Sequence, residues 1–207
     1  QFTLAVDGVS KGMWHHVVVT LAADKTVNIY VDGVLKASGT HSINTWTPVF
    51  ADQNHSLVFG SVYDYGVGAG DLSDSTLNGF LDDMRIYNYA LTPKQVVSVM
   101  NGGHPAVGSP VGSALGHWKF DEGYGTTANN SGSNDTSLNG TLSGTGLPLW
   151  KNEGKFGKAL YLNGSSAYVD MGNPSAAQIT SDLSLSSWVY LSSNTANQDI
   201  ISKRGLS

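Results

Sequence analysis

The chain has 207 residues, of which 13% are charged and 40% apolar, and a net charge of −5. Its acids are scattered, and no basic run is present to neutralise a phosphate backbone, so nucleic-acid binding is not expected. No apolar run approaches the ~18 residues of a bilayer span, which argues against membrane insertion, and the apolar share is too high for a disordered chain.

The 25 glycines and abundant Ser, Thr and Asn suit many short strands joined by tight turns. The absence of cysteine removes disulfides and thiolate metal sites. Sequons at Asn54, Asn129, Asn134, Asn139 and Asn163 fit an extracellular or cell-surface protein, of bacterial or archaeal type given the missing cysteines. Residues 1–20 carry no signal-like segment, so a signal for export would lie outside this sequence.

Along the chain, GMWHHVVVTL is a β-branched run, and TVNIYV follows with Val27, Ile29 and Val31 alternating against Asn28 and Tyr30. Asp32-Gly33 between Val31 and Val34 predicts a two-residue hairpin turn, because both positions want positive φ. LVFGSV and GFLDDMRIY add two strands, separated by a long loop. One helix is predicted over about 92–101, with Thr92 as cap, Pro93 in the first turn, Gln95 completing a capping box and Leu91 stapling onto Val96.

HPAVGSPVGSA, residues 104–114, has two prolines and no full charge and reads as a linker. Strands resume with LGHWKF, KALYLNG, AYVDMG and LSLSSWVYL. In the last, Leu183, Leu185, Val189 and Leu191 share one face and Trp188 and Tyr190 the other.

Six strings, WHHVVVT, VNIYVDGVL, LNGFLDDMRIYNYALT, HWKFDEGYGTTANNSG, GKFGKALYLNG and LSLSSWVY, resemble successive signatures of laminin G-like domains of the concanavalin A-like superfamily. The resemblance implies an all-β jelly roll of two antiparallel sheets with one short helix. Its order is inverted: residues 1–103 resemble the closing half of such a sandwich and residues 115–207 the opening half. The sequence would then be a repeat cut from a tandem array, a circular permutant whose halves fold on each other, or a subunit whose halves complete neighbouring copies head to tail. An 11-residue linker spanning roughly 30 Å permits all of these, and a half sandwich with open strand edges invites pairing.

Asp82 is the sharpest candidate for chemistry. Strict alternation along GFLDDMRIY puts it in a row with Phe80, Met84 and Ile86, where a buried carboxylate needs a partner or a metal, unless a bulge turns it outward or backbone amides satisfy it. The oxygen-rich run 121–140 could supply further ligands to Ca²⁺. The resemblance implies a structural calcium between the opening loop and the closing strand, which would fall to Asp82, Asp121 and Asn130, with Asp83, Glu122 and Asp135 as substitutes. Relatives often carry an acid where this chain has Asn129 and Asn130.

The adjacent His15 and His16 point to opposite faces of a strand and cannot chelate one ion, and His41, His55, His104 and His117 form no ligand spacing. No paired carboxylates at strand spacing, nucleophile elbow or P-loop marks an enzyme. Loop 61–71 offers Tyr63, Asp64 and Tyr65, with Trp46 nearby, as a sugar-stacking site. Trp14, Trp118, Trp150 and Trp188 read as core. The expected role is a non-catalytic structural or adhesive domain of a surface assembly or filament, with copies of itself as partners; the alternative is a carbohydrate-binding module of a secreted glycoside hydrolase.

Overall fold

Asp32 and Gly33 take φ of 51° and 78°, the turn expected of them, and join strands β2 (Thr26–Val31) and β3 (Val34–Thr40). This hairpin belongs to a computed structural model that describes residues 9–40, 56–61, 76–102, 111–134, 136–193 and 198–203. Upstream of it, β1 (Trp14–Leu21) pairs antiparallel with β2, Val17 opposite Val31 and Leu21 opposite Val27. On its other edge β1 pairs along its whole length with β12 (Leu183–Leu191), Trp14 opposite Tyr190 and Leu21 opposite Leu183.

The larger sheet continues from β12 to β5 (Asn78–Tyr87), β10 (Ala159–Asn163) and β9 (Leu149–Lys151), in the order β3-β2-β1-β12-β5-β10-β9, with β6 (Gly116–Trp118) also paired to β5. The smaller sheet has the order β13 (Ile201–Ser202), β4 (Val58–Phe59), β11 (Tyr168–Asp170), β8 (Gly140–Ser143) and β7 (Thr127–Ala128). Its pairings, like those of the larger sheet, are antiparallel. Strands from residues 1–103 and from residues 115–207 therefore interleave within one chain, with β12 held between β1 and β5.

The two sheets enclose one core. Trp118 is fully buried there, its indole N–H donating to Leu138 O at 2.8 Å and its ring edge-on to Phe59 at 4.9 Å. Phe120, Leu81, Met84, Ile86, Leu160, Leu162 and Val169 close around it. Leu183 and Val189 of β12 also face this core, as alternation predicts.

Helix α1 (Pro93–Met100) carries the expected capping box: the Thr92 hydroxyl accepts from Gln95 N–H at 3.3 Å and the Gln95 side chain accepts from Thr92 N–H at 2.9 Å. It packs on the outer side of the larger sheet, where Leu91, Val96 and Val99 meet Val18, Tyr30 and Tyr87. This second cluster explains Val18 and Tyr30, which fall on the face of β1 and β2 turned away from the main core.

One local expectation changes: LVFGSV yields only the two-residue β4. Gly79 is needed where it stands, because a Cβ there would lie 1.9 Å from Tyr190 O of the adjacent strand.

Candidate functional site

Alternation along β5 breaks at its centre. Leu81, Met84 and Ile86 join the core, whereas Asp82 and Asp83 lie between them. Asp83 adopts φ of 50°, a left-handed conformation that Asp tolerates better than most residues, and the register with β12 slips between Ser186 and Trp188. The bulge inserts one residue, so Met84 and Ile86 do not share a face with Asp82. Strict alternation failed here because it assumes one residue per step.

The two carboxyls have opposite electrostatics. Asp82 is 0% exposed, and its Oδ2 accepts the Phe156 N–H at 2.7 Å while Oδ1 is buried without a hydrogen-bond partner. Burial foremost, then the nearby charges of Asp83 and Asp121, push it from 3.8 up to about 7, against the lowering effect of the Phe156 N–H. Asp83 is buried too, but His117 Nε2 at 2.6 Å and Arg85 Nη2 at 2.9 and 3.1 Å overcome its desolvation and hold it below the usual carboxylate range.

The remaining candidate calcium ligands do not converge on Asp82. Asp121 comes nearest, its Oδ1 accepting Lys158 N–H at 2.7 Å on the loop that also supplies Phe156. Asn130 Oδ1 accepts from His117 N–H and Gly132 N–H, and Glu122 Oε1 accepts twice from Asn129, so these side chains shape their own turns. Asp135 lies outside the described residues. Among those described, no three His, Cys, Asp or Glu side chains gather into a group that could hold a metal ion, so excess EDTA followed by Ca²⁺ is expected to leave the melting temperature unchanged. A rise on adding Ca²⁺ would restore the calcium reading, since a ion bound only to the folded state must stabilise it.

The histidine pair divides as its strand geometry requires. His16 hydrogen-bonds Ser186 Oγ at 2.9 Å and lies 5.3 Å from the Trp188 ring, and burial foremost lowers it to about 4, so it is neutral at pH 7. His15 bridges Asp32 Oδ2 at 2.7 Å through Nδ1 and Ser10 through Nε2, at 2.9 Å to Oγ and 3.2 Å to the backbone N–H.

This Ser-His-Asp chain was invisible in the sequence, because the hairpin alone brings Asp32 to His15. It resembles a nucleophile relay but is wired as a clamp. The fixed Ser10 N–H donor selects an unprotonated Nε2, and a proton taken from Ser10 Oγ would set two donors against each other. His117 serves Asp83, while His41, His55 and His104 lie outside the described residues.

The outer face of the larger sheet also carries a row of rings. Trp14, Tyr190, Phe80 and Tyr161 stand directly opposite one another on β1, β12, β5 and β10. Their centroids are 5.8, 5.5 and 5.1 Å apart in sequence along the row, all four are half-buried, and Leu149 extends it at 52% exposure. Beside it, Trp188 contacts Phe156 at 6.0 Å and lies under Lys155 Nζ at 4.2 Å.

Trp14 and Trp188 thus face away from the inter-sheet core, unlike Trp118; Trp150 packs against the core partly buried and donates to Gly125 O. Tyr63, Asp64, Tyr65 and Trp46 lie outside the described residues. The in-out pattern of β12 marked Tyr190 as outward, but only the register between four strands places the rings in line.

Residues 3–97 match the laminin G-type family model of the concanavalin A-like lectin/glucanases superfamily. No curated protein and no solved structure matches the chain.

Proposed function

Since residues 3–97 belong to the concanavalin A-like lectin/glucanases superfamily, we propose that the chain is a non-catalytic, extracellular adhesion module that holds its ligand on the outer face of the larger sheet. The observation that carries this reading is the row Trp14, Tyr190, Phe80 and Tyr161, continued by Leu149. Four registered rings cover about three strand spacings, roughly 14 Å, and present the large, weakly entropic contact area of a binding surface. Stacking of this kind favours a polysaccharide as the ligand.

Two further features support binding over catalysis. Asp82 and Asp83 are adjacent carboxyls with opposed pKa directions, yet both are buried, and Asp83 is locked to Arg85 and His117. The Ser10–His15–Asp32 chain favours the resting tautomer. The pairing of β1 with β12 and of β12 with β5 inside one chain supports a self-contained sandwich over one completed head to tail by neighbouring copies.

Affinity electrophoresis against soluble polysaccharides tests the proposal. Retardation by at least one is expected, and Trp14→Ala with Tyr161→Ala is expected to weaken it about tenfold or more, the weight of an aromatic hot spot. Unchanged retardation in the double variant would remove the row from the ligand site. No retardation at all, combined with concentration-dependent self-association of the wild type, would favour the structural-assembly role.

A further inference from the structure

Past the bulge, β5 and β6 offer a second, chemically different site. Arg85, Tyr87 and His117 join Val111, Gly112 and Ala114 around a cavity of about 190 Å³. Arg85 is 8% exposed and spends Nη2 on Asp83, but its Nε–H is buried with no hydrogen-bond partner. A guanidinium N–H left unpaired inside a protein is costly, and an acceptor entering the cavity would remove that cost.

The other groups define what the acceptor is. Asp83 is the acid at this place and is already neutralised by Arg85 and held by His117 Nε2. His16, on β1 beyond β12, is neutral at pH 7. Tyr87 is buried and burial keeps its hydroxyl protonated; the hydroxyl oxygen accepts from the Arg85 guanidinium, which leaves its own O–H to donate at the cavity wall. Val111, Gly112 and Ala114 add no charge.

We propose that this cavity binds the carboxylate of a small ligand, through Arg85 Nε and the Tyr87 hydroxyl. A planar carboxylate matches the flat edge of a guanidinium, whereas a doubly charged phosphate would need more positive charge than Arg85, already shared with Asp83, can supply. About 190 Å³ is well below the ~300–1,000 Å³ of pockets that enclose drug-sized molecules, so the site takes a terminal group or single residue. Two sources carry that chemistry, a uronic acid unit of a glycan and the terminal carboxylate of a peptide. The proposal does not depend on the aromatic row.

The test is a ¹H–¹⁵N NMR titration of the whole chain, following the Arg85 Nε–H resonance with D-glucuronate, N-acetylalanine and D-glucose. A saturable shift with glucuronate identifies the glycan source, one with N-acetylalanine the peptide source, and a shift with both the carboxylate alone. No shift with either acid overturns the site, as does an equal shift with glucose, which would mark a cavity filled by water and indifferent to charge. Tyr87→Phe keeps the ring and the Arg85–Asp83 pair, and is expected to weaken the responding ligand about fivefold, equivalent to ~1 kcal/mol for one hydrogen bond. An unchanged affinity in a variant with an otherwise wild-type spectrum also overturns the assignment.

Discussion

Trp118→Ala is expected to destabilise the sandwich by about 3–5 kcal/mol, the range for emptying a fully buried large aromatic site. Trp118 fills the space between the sheets, contacts Phe59 edge-on and satisfies Leu138 O, so its loss leaves both a cavity and an unpaired carbonyl. Guanidinium unfolding followed by far-UV circular dichroism measures the difference. Trp118→Phe separates the two contributions, retaining most of the volume and giving up the hydrogen bond for ~1 kcal/mol. A loss under about 1 kcal/mol in the alanine variant would show that the sheets close without Trp118.

The second large effect is a gain in stability. Asp82 binds its proton more tightly folded, at about 7, than unfolded, at 3.8. Its contribution is therefore fully present below pH 3.8 and declines as pH rises to 7, by up to about 4 kcal/mol at ~1.4 kcal/mol per pKa unit. His16 acts in the opposite sense, since its lowered value makes stability rise between pH 4 and 6.5. Asp83 also loses its contribution as pH falls through its lowered value.

The wild-type profile is thus a sum of opposing slopes, and Asp82→Asn isolates one of them. The amide retains an acceptor for Phe156 N–H and cannot ionise. It is expected to be more stable than wild type by a few kcal/mol at pH 8 and nearly equal to it at pH 4, read by denaturant unfolding at each pH. Equal stability at pH 8 would mean that a counter-charge, such as a bound cation, already compensates the carboxylate.

The fold was largely legible in the residues. Asp32-Gly33 fixed a hairpin, Thr92 to Gln95 fixed a helix start, and the alternation in LSLSSWVYL assigned both faces of the central β12. What escaped were features created by strand-to-strand alignment. The bulge at Asp82 and Asp83 changes which residues face the core, and nothing in GFLDDMRIY alone distinguishes a bulged strand from a regular one. The ring row needs the register of β1, β12, β5 and β10, whose residues come from four distant segments. The Arg85 cavity likewise joins β5 to residues 111–117, and the Ser10–His15–Asp32 clamp joins two strands through a turn. Local propensity and period are encoded within a segment, whereas sites are encoded between segments.

The position of β12 between β1 and β5 bears on how the chain is made. During synthesis β1–β2–β3 can form a meander early, but before residues 159–191 have appeared β5 can pair only with the three-residue β6 at its far end. Closure of the larger sheet is a late event joining segments about 170 residues apart, as the His16–Ser186 bond illustrates. Such non-local pairing is slow, and the waiting edges are prone to pairing with other chains. The edges of β1 and β5 stay open until β12 lies between them, so the last long strand to be made is the one that closes the larger sheet.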